Sequence, residues 1–195
     1  MTLPAAQPEE AKPHLPGEPG VWMFIMGDLM MFALLFGVFV YYRAQDVALF
    51  SQGQTTLDQT YGLFNTLLML SSSWFVALGM HAARHTPGKR AATLFALAFA
   101  CGAGFVAVKY FEYGEKIRAG FTIVTNDFYM YYFMLTGIHL MHVVIGMGIL
   151  AFLWNTSRAG AFDPPKINMM ESCASFWHMV DILWVVLFGL LYLMR

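Results

Sequence analysis

Residues 128–154 read FYMYYFMLTGIHLMHVVIGMGILAFLW, a run of 27 residues without a single Asp, Glu, Lys or Arg. A helix crosses the hydrocarbon core of a bilayer with about 20 mostly apolar residues. Because lipid offers no partner for an exposed backbone N–H or C=O, a spanning segment of this kind must be helical. The run therefore predicts a transmembrane helix.

Four further stretches meet the same criterion, at residues 21–42, 63–80, 91–111 and 173–194. The chain as a whole is 58% hydrophobic and only 12% charged, whereas an average soluble domain is about 25% charged. The sequence thus predicts an all-α fold, an integral membrane bundle of five transmembrane helices.

Short polar or Pro-containing segments separate these helices, at residues 51–59, 86–88 and 163–165. Residues 1–20 are polar and Pro-rich, and they lack the basic start and apolar middle of a signal peptide. We expect them to form a flexible cytoplasmic tail. Residues 21–195 are expected to form a single transmembrane domain.

The cations in the loops predict the orientation, because Lys and Arg concentrate on the cytoplasmic side of a membrane. With five spans, one side holds Lys12, Arg84, Lys89, Arg90, Arg158 and Lys166, and the other holds Arg43, Lys116, Arg118 and Arg195. The N-terminus is therefore predicted to be cytoplasmic and the C-terminus periplasmic. The formal net charge of -1 gives no basic excess that would indicate a nucleic-acid partner.

Polar residues inside the predicted spans are the candidate functional residues. A charge at a helix centre costs roughly 2.5–3.5 kcal/mol on insertion scales, so such residues usually face other helices or water. The candidates are Asp28, Asn65, Lys109, Glu112, His139, His142, Glu171, His178 and Asp181.

Depth within the membrane, counted at about 1.5 Å per residue, divides these candidates into two sets. Asp28, His142, His178 and Asp181 can share an inner-to-middle layer, with His139 one turn further out. Asn65 lies in an outer layer with Lys109 and Glu112, and the last two are three residues apart, which favours a local ion pair.

Three interpretations of the inner layer remain open: interhelical hydrogen bonds, a proton path or a metal site. We expect no bound metal and no catalytic residue. Six histidines, of which His14 lies in the tail, are too few for a haem-copper catalytic subunit. The cysteines, Cys101 and Cys173, belong to no CxxC or CxxCH pattern.

Aromatic residues collect near the predicted span ends, where rings commonly meet lipid headgroups. They are Trp22, Tyr41, Tyr42, Tyr110, Tyr113, Trp154 and Tyr192. We expect this belt to anchor the helices at the membrane surface.

Four segments of the chain match motifs of a known family. They are Gly27-Asp28 before an apolar run, the sequence YFEY at 110–113, GIHLMHVVIG at 137–146, and Glu171 followed by WHMVDILW at 177–184. With them the chain resembles subunit III of the haem-copper oxidases from about Val21 to its end. Within that family it is most similar to the short, NorE-like form associated with nitric oxide reductase.

The resemblance implies a fold like helices III–VII of oxidase subunit III in a bacterial inner membrane. It implies an accessory subunit without its own redox centre or cofactor, and therefore not itself an enzyme. Such a subunit contacts a haem-copper catalytic subunit and can bind phospholipid. Two features depart from longer members: the two helices that precede the Asp28 segment are absent, and Asp28 stands where those members carry Glu.

The leading hypothesis is thus an accessory protein that supports assembly or activity of nitric oxide reductase in denitrification. One alternative is a short subunit III of a cytochrome c or quinol oxidase. An alternative from another class is a small proton-coupled transporter that uses Asp28, His178 and Asp181. Co-purification separates the two classes, because only an accessory subunit would bring a haem-bearing partner.

Overall fold

The computed structural model of the chain describes residues 18–85, 89–160 and 163–194. Its helices are α1 (Pro19–Gln45), α2 (Val47–Thr55), α3 (Gln59–His85), α4 (Lys89–Arg118), α5 (Asp127–Ala159) and α6 (Pro164–Phe188), which ends in a π-helical turn (Gly189–Leu193). All except α2 are long and apolar enough to cross a membrane. The predicted all-α bundle of five spans is therefore confirmed. Most of the predicted tail, the predicted turn at 86–88 and Arg195 lie outside the described residues.

The segment predicted as a linker at 51–59 instead contains most of the short helix α2. Its first turn is capped by Asp46, whose carboxylate accepts a hydrogen bond from the Leu49 backbone N–H at 3.0 Å. Phe50 on this helix is buried against Phe39 of α1 and Phe128 of α5. The sequence did not predict α2, because a single buried aromatic residue gives no periodic hydrophobic pattern.

Helix α6 starts nine residues before the predicted span, at Pro164. A proline tolerates the first position of a helix, where its missing N–H has no intrahelical partner to lose. The Asp163-Pro164-Pro165 segment that was expected to stop a helix therefore begins one. Helix α5 ends at Ala159 and is followed by Gly160, whose φ of 76° is the left-handed conformation that glycine adopts without strain.

Helices α3, α4, α5 and α6 form the core of the bundle, and α1 lies outside it against α5 and α6. Trp177 of α6 is fully buried between α4 and α5 at two glycines. A Cβ added at Gly146 would lie 2.6 Å from the Trp177 ring, and one at Gly102 would lie 3.1 Å from it. Small residues let transmembrane helices approach closely, so these glycines make room for the tryptophan.

We predict that Gly146→Ala lowers the free energy of unfolding of the detergent-solubilised chain by about 1–3 kcal/mol, the usual result of overpacking a core. The matched control is Gly148→Ala on the same helix, where an added Cβ meets nothing within 4 Å. That control should change stability by less than about 0.5 kcal/mol. Thermal unfolding of both variants checks the prediction, and equal stability would contradict the packing of Trp177.

Candidate functional site

A buried ion pair between Lys109 and Glu112 lies within the bundle, with 1% of each side chain exposed. Lys109 Nζ donates to Glu112 Oε2 at 2.9 Å and to the Tyr192 hydroxyl at 2.9 Å. The hydroxyls of Tyr132 and Tyr192 donate to Glu112 Oε1, at 2.9 and 2.5 Å. The four side chains, here called the Lys109 cluster, thus join α4, α5 and the C-terminal π-helical turn.

Aromatic rings surround the ammonium group of the Lys109 cluster. Lys109 Nζ lies 4.9 Å from the centre of the Trp184 ring, 5.4 Å from those of Tyr132 and Tyr192, and 5.8 Å from that of Tyr113. The negative face of an aromatic ring attracts a cation, most strongly where water is excluded. Together with Glu112, the rings compensate for the desolvation of the charge.

The Lys109–Glu112 pair predicted from spacing is present. Its expected position in an outer layer stays a prediction, and α4 continues for nine residues beyond Lys109, to Arg118. Tyr192, expected in the interfacial belt, is fully buried with its hydroxyl in the Lys109 cluster. Sequence reasoning missed Tyr132 altogether, because nothing in an aromatic-rich run singles out the ring that faces a charge on another helix.

Asp28 and His142 form a second polar contact, between α1 and α5. Asp28 Oδ2 lies 3.0 Å from His142 Nε2, an ion-pair distance although the geometry is not that of a formed hydrogen bond. The other ring nitrogen, Nδ1, lies 2.8 Å from the Ile138 carbonyl, which can only accept, so Nδ1 carries a proton. The Asp28–His142 contact therefore joins α1 to α5 at ion-pair distance.

His178 and Asp181 face a different helix, α3. His178 Nδ1 lies 2.5 Å from the Ser73 hydroxyl, and the Asp181 carboxyl also interacts with Ser73. Neither residue bonds to Asp28 or His142 within the described part of the chain, so these four residues do not form one connected group; their shared depth in the membrane stays a prediction. Counting residues gives a height in the membrane but not the direction in which a side chain points.

Glu171 of α6 forms an ion pair with Arg84 in the last turn of α3. The Arg84 guanidinium donates to Glu171 Oε1 at 2.7 Å, with 46% of the arginine side chain exposed and 10% of the glutamate. An ion pair this open to its surroundings contributes about 1 kcal/mol or less. The pair joins the end of α3 to the first turns of α6 and is separate from the buried polar contacts described above.

His139 and Asn65 are fully buried and have no hydrogen-bond partner among the described residues. The His139 ring lies against Phe105 and Trp184 at centroid distances of 5.7 and 5.3 Å. Its neighbour on the same helix face, His142, has the partners described above. His139 therefore forms no hydrogen bond with the other candidate residues in the described part of the chain.

No group of three or more His, Cys, Asp or Glu side chains that could hold a metal ion occurs in residues 18–85, 89–160 and 163–194. Asp28 and His142 supply two donors, and His178 and Asp181 supply two elsewhere. The lack of a metal remains a prediction. The polar groups that do meet one another bridge helices in pairs.

Fold and polar contacts define a class: a multi-pass membrane protein in which polar side chains inside the spans bind mainly one another. A family model for cytochrome c oxidase subunit III matches residues 17–195. The chain belongs to that family. The match includes all five spanning helices and every candidate residue discussed above.

Several curated proteins are similar to the chain over 90% of its length. Subunit 3 of a cytochrome c oxidase from Thermostichus vulcanus is 28% identical, with 86% of that protein covered. A cytochrome c oxidase subunit 3 from a Synechocystis strain is 31% identical, with 74% covered. Subunit 3 of the cytochrome bo(3) ubiquinol oxidase of Pseudomonas putida is 28% identical, with 84% covered.

We predict that Lys109→Met lowers the free energy of unfolding of the solubilised chain by about 3–5 kcal/mol, because it leaves the Glu112 carboxylate buried without its counterion. The double variant Lys109→Met/Glu112→Gln removes both charges and should recover a large part of that loss. A double-mutant cycle needs thermal and denaturant unfolding of four proteins: wild type, Lys109→Met, Glu112→Gln and the double variant. Additive effects of the two changes would show that the pair is not coupled.

Proposed function

We propose that the chain is a non-catalytic subunit of a haem-copper respiratory complex and contacts the catalytic subunit within the membrane. The observation that carries the proposal is the family match over residues 17–195. The geometry is consistent with it, because the polar side chains of the spans are used mainly to join helices. The same match makes the transporter alternative the weaker one.

Relatives named as oxidase subunits favour an oxygen-reducing oxidase as the partner. Three features favoured nitric oxide reductase: Asp28, the lack of the two leading helices of longer members, and the short length that goes with that lack. The argument from length loses force because the alignment covers 86% of the Thermostichus vulcanus subunit, which is therefore little longer than this chain. Asp28 in place of the family's usual Glu remains the one feature in favour of a NorE-like role in denitrification.

Asp28 and His142 are the residues through which the subunit would act on its partner's proton supply. They lie beside a groove bounded by α1, α5 and α6, which His142 and Phe24 line. The pair lies near the bundle surface, since 12% of the Asp28 side chain is exposed. A group that takes up and releases a proton there can support uptake by an adjacent catalytic subunit.

We predict that the chain, tagged and purified in a mild detergent from its native host, brings a haem-bearing partner with it. An absorbance spectrum of the eluate should contain a Soret band, and mass spectrometry should identify a haem-copper catalytic subunit. An oxidase sequence would assign the partner to oxygen reduction, and a reductase sequence would assign it to nitric oxide reduction. A pure chain without haem, obtained under conditions that keep other respiratory complexes intact, would contradict the proposal.

Replacing Asp28 with Asn tests the proton-supply role, because the amide keeps the shape of the carboxyl but cannot carry its proton. We predict that the assembled complex with Asp28→Asn has normal turnover at neutral pH and reduced turnover at alkaline pH, where protons are scarce. The matched control is Asp181→Asn, which should reduce stability modestly and leave the pH profile unchanged. A pH profile identical to wild type for Asp28→Asn would leave Asp28 with a packing role only.

A further inference from the structure

Two histidines near the end of α3 lie side by side at the protein surface. His81 and His85 are four residues apart, and His85 is the last residue of the helix. Side chains at this spacing share one face of a helix, with Cβ atoms about 5–6 Å apart. The ring centres of His81 and His85 are only 4.6 Å apart, and both residues are exposed. The two rings therefore converge instead of pointing away from each other.

These two imidazoles do not hold the fold together in the way that other histidines of the chain do. His142 has a ring nitrogen 2.8 Å from the Ile138 carbonyl, and His178 has one 2.5 Å from the Ser73 hydroxyl. Neither His81 nor His85 forms a hydrogen bond or an ion pair within the described part of the chain, and their ring contact is with each other. Their ring nitrogens are therefore available to a ligand.

His81 also lines a cavity of about 360 Å³ between α3 and α6. Arg84 and Glu171 line the same cavity and form an ion pair at 2.7 Å. Because this carboxylate compensates the guanidinium charge, Arg84 repels a bound cation less than an unpaired arginine would. A water molecule occupies about 30 Å³ in the liquid, so the cavity has room for a hydrated ion beside His81.

We propose that His81 and His85 together bind a divalent transition-metal ion of the Zn²⁺ class at this end of α3. Imidazole nitrogen suits Zn²⁺, Cu²⁺ and Ni²⁺, and two histidines four residues apart on one helix face are a known zinc-binding spacing. A metal about 2.0–2.1 Å from one nitrogen of each ring sets the ring centres roughly 4.5–5.5 Å apart. The observed separation of 4.6 Å lies in this range, so the two side chains need little rearrangement.

The proposed ion is an exchangeable ligand and not a resident cofactor. Two donors from the described residues leave the other coordination positions to water, whereas structural zinc sites use four protein ligands. The prediction that the chain carries no tightly bound metal is therefore not affected. Residues 81–85 read HAARH, which lacks the glutamate that serves as general base in the HExxH motif of metalloproteases. The site thus binds an ion without hydrolytic chemistry.

Binding would stabilise the last turn of α3. One ion can bridge His81 and His85 only while the residues between them are helical, and a ligand that binds only the folded form stabilises it. Arg84 in the same turn holds α6 through Glu171, so the ion also strengthens the contact between these two helices. The inference does not depend on any haem-copper partner, because it uses residues of this chain alone.

The site can be tested on the purified full-length chain in detergent, prepared without a polyhistidine tag. Zn²⁺ binding is measured by calorimetry and thermal shift, with Mg²⁺ as the control, since Mg²⁺ prefers oxygen ligands. Cu²⁺ is the spectroscopic probe, because its electron paramagnetic resonance spectrum reports how many nitrogens coordinate it. The variants are His81→Gln and His85→Gln. The matched controls are His178→Gln, which removes a histidine that lines the same cavity, and His14→Gln, which removes one in the N-terminal segment.

We expect saturable Zn²⁺ binding that raises the unfolding temperature, and no such effect of Mg²⁺. The Cu²⁺ spectrum of wild type should show two coordinated nitrogens. His81→Gln and His85→Gln should each show fewer and should lose the Zn²⁺-induced shift, whereas both controls should behave as wild type. Absence of saturable Zn²⁺ binding, or an unchanged Cu²⁺ spectrum in His81→Gln or His85→Gln, would overturn the inference. Equal loss of binding in a folded His178→Gln or His14→Gln variant would place the ion elsewhere and overturn it as well.

Discussion

The buried Lys109–Glu112 ion pair is the interaction on which the arrangement of the bundle depends most. Two charges in a membrane interior are tolerated only when each has its counterion and further hydrogen bonds. Here those bonds come from Tyr132 on α5 and from Tyr192 in the last turn of the chain. Satisfying the pair therefore fixes the rotation of α5 about its axis and the position of the C-terminal turn.

The π-helical turn Gly189–Leu193 follows from the same requirement. Such turns are rare and frequently occur where a side chain must be re-aimed at a functional or structural centre. In this chain the turn lies next to the Lys109 cluster, and Tyr192 within it is fully buried. The Gln54 and Gln59 side chains donate to the Leu190 and Tyr192 carbonyls, which secures the turn from the side of α2 and α3.

Sequence alone predicted the five spans because the bilayer leaves one solution for a long apolar segment. The same reasoning could not find α2, since a nine-residue helix beside the spans needs neither length nor a continuous apolar run. It also placed Tyr192 at the membrane surface, because this residue lies at the end of the predicted fifth span, residues 173–194. Asp28 was expected at the same depth as both His142 and His178, and only the rotation of the helices about their axes brings it to His142. The depth of a residue in the membrane follows from counting along its helix. The direction in which its side chain points around the helix axis depends on all the neighbouring helices.

Family membership and polar contacts together describe a subunit whose charged residues hold helices in place. The small residues at Gly102 and Gly146 admit a tryptophan, the Lys109 cluster joins three elements, and the Asp28–His142 contact attaches α1 to the bundle. Of these, the Asp28–His142 contact is the one nearest the bundle surface, so a partner can reach it most directly. The Lys109 cluster, in contrast, is buried within the bundle.

We infer that the Lys109 cluster supports structure and not chemistry. Turnover per haem of the assembled complex that carries Lys109→Met together with Glu112→Gln tests this. We expect a lower unfolding temperature, with turnover per haem equal to wild type over the whole pH range. A complex that assembles normally and keeps its unfolding temperature, but loses turnover, would contradict it.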